Sequence, residues 1–277
     1  MSDTMADNVA ESVGAGAGDR SPIRAVLVAV GLGIGGPILA FVFSLPVVVL
    51  VGAVSVPPIV AIALLLIAGQ YLAFGGLAVG YLTALRDLDL GAVRAYLGIE
   101  VPDLRDLLVV VGGWVLIFGL IIVIGIVVQY VGAETADNQA GELAQEIPAL
   151  IPPLIVAMFL VVGPCEEILY RGVVQGRLRE ALGPVPSILL ASAVFAVVHV
   201  GALTGGLNAR LTTIAILFVP SIVFGAAYEY TENLVVPALI HAIHNSVLLA
   251  LLWVTIRYAP DGASGAIVAP FLAAIPV

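Results

Sequence analysis

Long apolar stretches recur along the whole chain, several of them reaching the ~20 residues that a helix needs to cross a bilayer, with short polar joints between them. In hydrocarbon a backbone must satisfy its own N–H and C=O groups, which an α-helix does within a single segment. Of the 277 residues, 61% are hydrophobic and 10% charged, whereas a soluble domain carries about a quarter charged. Lipid is therefore the solvent for most of this chain. The expected fold class is all-α, a polytopic transmembrane helical bundle of about seven or eight spans.

Seven spans follow from the apolar runs, at about 24–52, 58–84, 107–131, 148–164, 184–203, 210–228 and 234–256. Residues 1–22 are small, acidic and polar and read as a disordered tail, leaving 23–277 as a single transmembrane domain. The segment 86–106 is polar enough to lie on the membrane surface, and 132–146 reads as an acidic loop. The stretch after Glu166 reads as a polar-faced helical continuation of the fourth span, and 259–277 is apolar but broken by Pro and Gly, an eighth span or an interfacial piece. "GLGIGG" (31–36) sits inside a span and reads as small-residue helix packing, not as a nucleotide fingerprint.

The ten basic residues are all Arg, against 19 Asp plus Glu, for a net charge of −9. An acidic chain argues against a nucleic-acid partner. Cytoplasmic loops collect positive charge, and with the N-terminus inside, Arg20, Arg24, Arg86, Arg94, Arg105, Arg171, Arg177 and Arg179 fall on one side and only Arg210 and Arg257 on the other. The expectation is a multi-pass protein of the cell membrane with a cytoplasmic N-terminus. Its single Cys165 reads as packing.

Polar groups inside the spans single out the chemistry. All three histidines, His199, His241 and His244, fall there, and the fourth span ends on Glu166 and Glu167. Ionisable groups at membrane depth are costly, and they mark functional sites facing the bundle interior. Residues four apart share a helix face, so Glu167 can pair with Arg171, Phe195 can wall His199, and His241 and Asn245 can enter one cavity. Glu166 points about 100° away from Glu167 around the axis and is left for other work. These groups make a hydrolytic site in which Glu166 takes a proton from water that His199 orients, while His241 and Asn245 donate to the oxyanion. His244 reads as packing. The substrate is a peptide or protein reaching the site from the membrane or the cytoplasmic side.

"EEILYRG", "FAVVH" and "HAIHN" resemble the EExxxR, FxxxH and HxxxN motifs of the CPBP (CAAX protease and bacteriocin-processing) intramembrane proteases, in the same order, with the likeness covering 147–252. The resemblance implies an all-helical membrane peptidase with a glutamate-activated water, and C-terminal processing of prenylated proteins of the CAAX type. It leaves the role of metal open. The chain has no HExxH, yet Glu166, His199 and His241 could hold one zinc with an open position, and a metal-free glutamate mechanism is equally compatible. The rivals are a non-catalytic scaffold or immunity protein of the same fold, and a proton-coupled transporter. The apparent confinement of polar in-span residues to the second half counts against the transporter.

Overall fold

The computed structural model describes residues 21–258. Among them, seven helices are long and apolar enough to cross a membrane. They are α1 (Pro22–Ala53), α2 (Pro58–Leu85), α4 (Leu104–Val131), α6 (Pro148–Arg179), α7 (Pro184–Ala202), α8 (Leu207–Thr231) and α9 (Val235–Tyr258). Two short helices join them, α3 (Leu90–Leu97) and α5 (Gln139–Glu146). The all-α bundle and the seven spans are as expected. An eighth span at 259–277 and residues 1–20 of the tail expected at 1–22 lie outside the described residues, while Ser21 and Pro22 open α1.

The polar joints carry the local signals that stop and start the helices. Asp89 and Asn138 accept backbone N–H groups at the starts of α3 and α5. At α4, Asp103 and Asp106 form a reciprocal capping box. The segment 86–106 thus contains a real helix, which buries Val93 and Leu97 against the bundle. The acidic loop 132–146 is likewise partly ordered: α5 follows a two-residue strand, Asp137–Asn138, paired antiparallel with Leu203–Thr204. Glu142 accepts a hydrogen bond from Thr204 at 2.7 Å.

At one end of the bundle Glu180 joins three elements. It accepts from Arg86 at 2.8 Å, Arg177 at 2.6 Å and Tyr96 at 3.3 Å. Desolvation first, and then the Glu180 charge, hold the Tyr96 phenol above its usual range, so it remains the donor. Arg179 pairs with Glu229 at 2.8 Å at the same end.

Gly98 closes α3 with φ +60°, and a Cβ there would stand 1.9 Å from the Glu232 carbonyl oxygen. The same glycine's carbonyl accepts from Leu234 N–H at 3.1 Å, so this corner docks the α8–α9 turn. Gly98→Ala should lower stability by about 2 kcal/mol or more, from the left-handed backbone plus the clash. Thermal unfolding in detergent reads this, and an unchanged midpoint would contradict it. "GLGIGG" packs as expected of small residues: a Cβ on Gly33 would meet Val194 of α7 at 2.4 Å, and one on Gly36 would meet Leu169 of α6 at 2.6 Å.

The fourth span and its polar continuation are one helix, α6, of 32 residues. It is widened to π geometry at Met158–Val162 and again at Ile168–Gln175. Pro164 has no N–H to offer the carbonyl of Leu160 four residues back. Tyr71 of α2 donates its hydroxyl to that carbonyl at 2.8 Å instead. Packed against α6 are one apolar core with α1, α2, α3 and α7, and another with α2, α5 and α9.

Candidate active site

Glu166 and Glu167 lie on α6, roughly 15 Å along the helix axis before Arg177. Both are buried. Ions placed there must be paired or hydrogen-bonded, since desolvation costs several kcal/mol for each.

Glu167 is fully paired at one oxygen. Its Oε1 accepts from Arg171 Nη1 at 3.0 Å and lies 2.8 Å from His241 Nδ1. Arg171 is 1% exposed, and its other nitrogen donates to the Ser221 carbonyl at 3.1 Å and to Ser221 Oγ at 2.7 Å. The guanidinium lies between two rings, 4.4 Å from the centre of Phe195 and 5.1 Å from that of Phe224. This placement corrects the charge reading, because Arg171 sits inside the bundle and not with the arginines at its end.

His241 spans the two acids. Its Nδ1 faces Glu167, and its Nε2 lies 4.0 Å from Glu166 Oε2. Phe224 stacks on the imidazole at 5.0 Å and 14°, and Phe195 meets it edge-on at 6.0 Å. The reach from α9 to α6 depends on Gly163, where a Cβ would stand 3.0 Å from the Ala238 carbonyl oxygen. Asn245, one turn beyond His241, is buried, and its Nδ2 donates to Met158 Sδ at 3.7 Å, a weak acceptor.

His199 is buried, with its Nδ1 on the Phe195 carbonyl and its ring 4.6 Å from that of Phe195. The aromatic wall expected of Phe195 is present, and it serves Arg171 and His241 as well. No hydrogen bond joins His199 to Glu166 among the described residues; the imidazole within ion-pair range of Glu166 is that of His241. His244 is buried on α9.

Three contributors were not foreseen. Ser221 and Phe224 come from α8, and Gln70 of α2 donates its amide N–H to Glu166 Oε1 at 3.1 Å. The site therefore draws on five spans and not on the fourth, fifth and seventh alone. A sequence signal for Gln70 existed: it is the sole amide, acid or base in α2. It also means that polar groups are not confined to the second half of the chain, so that objection to a transporter falls.

Several buried polar atoms converge without a protein partner: Glu166 Oε2, Glu167 Oε2, His241 Nε2 and Gln70 Oε1. A zinc site needs at least three protein donors around one point. Among the described residues no three His, Cys, Asp or Glu side chains are so grouped. His241 and His199 each turn Nδ1 to an oxygen, which leaves Nε2 as the atom either ring could offer a metal. As placed, Glu166, His199 and His241 are not gathered around one point where an ion could sit. Glu166 Oε2 and His241 Nε2 are instead spaced so that one water at ~2.8 Å from each would sit off the line between them.

In the turns of α6 that precede Glu166, α2 and α6 leave an apolar groove of about 320 Å³, lined by Ile62, Leu66, Ile67, Tyr71, Leu154 and Leu160 among others.

Residues 148–247 match the family model described as type II CAAX prenyl endopeptidase Rce1-like. This stretch is Rce1-like. No curated protein and no solved structure matches the chain. The Rce1-like segment contains Glu166, Glu167, Arg171, Phe195, His199, Ser221, Phe224, His241 and Asn245, and the family is one of membrane peptidases of the CAAX type. With seven helices long and apolar enough to cross a membrane, the protein has the build of a multi-pass membrane protein, and residues 148–247 are the part that matches a peptidase family. Gln70 lies outside the Rce1-like segment.

Proposed function

We propose that the protein is an intramembrane endopeptidase that hydrolyses a peptide bond near the C-terminus of a lipidated protein, with Glu166 activating water and no metal taking part. The observation that carries this reading is the buried array Glu166–His241–Glu167–Arg171, inside a segment that matches a prenyl endopeptidase family. The apolar groove between α2 and α6, lined on α6 by the turns that precede Glu166, supports a lipidated substrate, because an isoprenoid could lie in it.

The partners of the two histidines suggest their protonation. His199 Nδ1 points at a carbonyl oxygen, so it carries the hydrogen and Nε2 presents a lone pair. A lone pair accepts a hydrogen from water, which suits His199 to orient the nucleophile. His241 Nδ1 donates to a carboxylate, so its Nε2 carries hydrogen only in the imidazolium form. In that form the charges of Glu166, Glu167, Arg171 and His241 sum to zero.

The reaction then balances as follows. Glu166 Oε2 takes a proton from water as the oxygen bonds to the scissile carbonyl carbon. The carbonyl electron pair moves to oxygen, where His241 Nε2–H and Asn245 Nδ2–H donate to it. Asn245 Nδ2 faces Met158 Sδ, a weak acceptor, in the structure. As the C–N bond breaks, Glu166 returns the proton to the leaving amine. The fold sits in the cell membrane with the N-terminus and the Glu180 cluster on the cytoplasmic side, following the remaining arginines.

Purified protein in liposomes, given a farnesylated and a non-farnesylated C-terminal peptide, tests the proposal. Cleavage should favour the farnesylated peptide and persist at full rate after exhaustive treatment with a strong chelator. Loss of cleavage on chelation with recovery on adding zinc would overturn the metal-free assignment, and failure to cut either peptide would overturn the substrate class.

A further inference from the structure

Gln70 is the one group of the site supplied by the first half of the chain, and its surroundings hold it in place. It lies in a π-helical segment of α2, Ile67–Gly75, and such widened turns recur at functional sites. The next residue, Tyr71, fastens α2 to α6 through the carbonyl that Pro164 leaves without a donor. That bond lies six residues before Glu166 on α6 and one residue after Gln70 on α2, so the facing backbones are pinned where the amide meets the carboxylate.

A carboxylate has two equivalent oxygens and a freely turning terminal bond. Gln70 Nε2 occupies Oε1. The oxygen left over, Oε2, is buried, has no protein partner, and is the one facing His241 Nε2. Glutamine is suited to this. It donates a hydrogen bond, adds no charge to an array already holding two acids, and cannot exchange a proton with the base.

We infer that Gln70 is a positioning residue for peptide hydrolysis: it holds Glu166 Oε1 so that Oε2 alone meets the water and the scissile carbonyl. This rests on the reading of Glu166 as the base. The rival is ordinary interhelical glue, in which a polar pair stabilises helix packing and does nothing to the reaction.

Five proteins in liposomes separate these: wild type, Gln70→Met, Gln70→Asn, Glu166→Gln and the Gln70→Met/Glu166→Gln double variant, each measured for kcat, KM and thermal midpoint. Gln70→Met keeps the volume and removes the donor. It should lower kcat by about 10- to 100-fold, the scale of a misaimed catalytic group, with KM changed less than about twofold. In the Glu166→Gln background the same substitution should change the residual rate less than about twofold, because residues acting through one another are not additive. Gln70→Asn keeps an amide one methylene short and should recover part of the lost kcat.

Equal losses in both backgrounds, an effect confined to KM, no recovery with Gln70→Asn, or a Gln70→Met protein that fails to fold would each overturn the inference in favour of packing. Full cleavage by Glu166→Gln alone would instead remove the base, whatever Gln70→Met does, so the two failures are distinct.

Discussion

Glu166→Gln should reduce peptide cleavage by about 10²- to 10⁴-fold while the protein folds as before. Glutamine matches the shape of the acid, and its amide oxygen can still accept from Gln70, which now donates at 3.1 Å. What disappears is the ability of Oε2 to take a proton. Stability should hold or rise slightly, since the substitution removes a buried charge whose polar contacts among the described residues are an amide and an imidazole at 4.0 Å. Steady-state cleavage of a fluorogenic lipidated peptide, with thermal unfolding of the same preparation, measures both quantities. Turnover near the wild-type level in a folded variant would sink the assignment of the base.

Arg171→Met should have the largest effect on the fold, lowering stability by about 3–5 kcal/mol, the usual result of removing one partner from a buried ion pair. Glu167 would be left with His241 alone, Ser221 would lose two hydrogen bonds, and the space between Phe195 and Phe224 would hold a thioether in place of a planar cation. Adding Glu167→Gln should restore part of the stability, because the stranded charge goes with it, but not the activity, because His241 loses its carboxylate. Denaturant or thermal unfolding in detergent, arranged as a double-mutant cycle, gives the coupling. A single Arg171→Met variant as stable as wild type would contradict this account of the pair.

The spans and the Glu167–Arg171 pair were legible in the sequence for related reasons. A lipid solvent makes hydropathy decisive, and an (i, i+4) spacing needs only the local helix. Glu166 and Asn245 stood out because polar side chains are scarce in such runs. What stayed hidden depends on contacts between distant segments. Ser221 lies 50 residues from Arg171 and Gln70 lies 96 from Glu166. Phe224 looked like any other aromatic until α8 placed it on His241. Local spacing also could not show that one imidazole touches both acids, because the Glu167–His241 contact joins two helices 74 residues apart in sequence. Nor could it show that the Leu160 carbonyl, which Pro164 cannot serve with an N–H, takes a hydroxyl from Tyr71 of another helix.

The widened turns of α6 let its two ends be set separately. Between Glu167 and Arg177 the chain passes through the Ile168–Gln175 π segment. Relaxing that stretch to ordinary α geometry at unchanged length would swing everything downstream by about 100° about the helix axis, because a single widened turn holds one residue more than an α turn. The Arg86–Glu180 and Arg179–Glu229 ties at the rim would be torn from their mates, while the acids deep in the bundle kept theirs. Length within that stretch is thus the gear ratio between the buried chemistry and the charged rim, and insertions or deletions there would be felt far more than in the joints between helices.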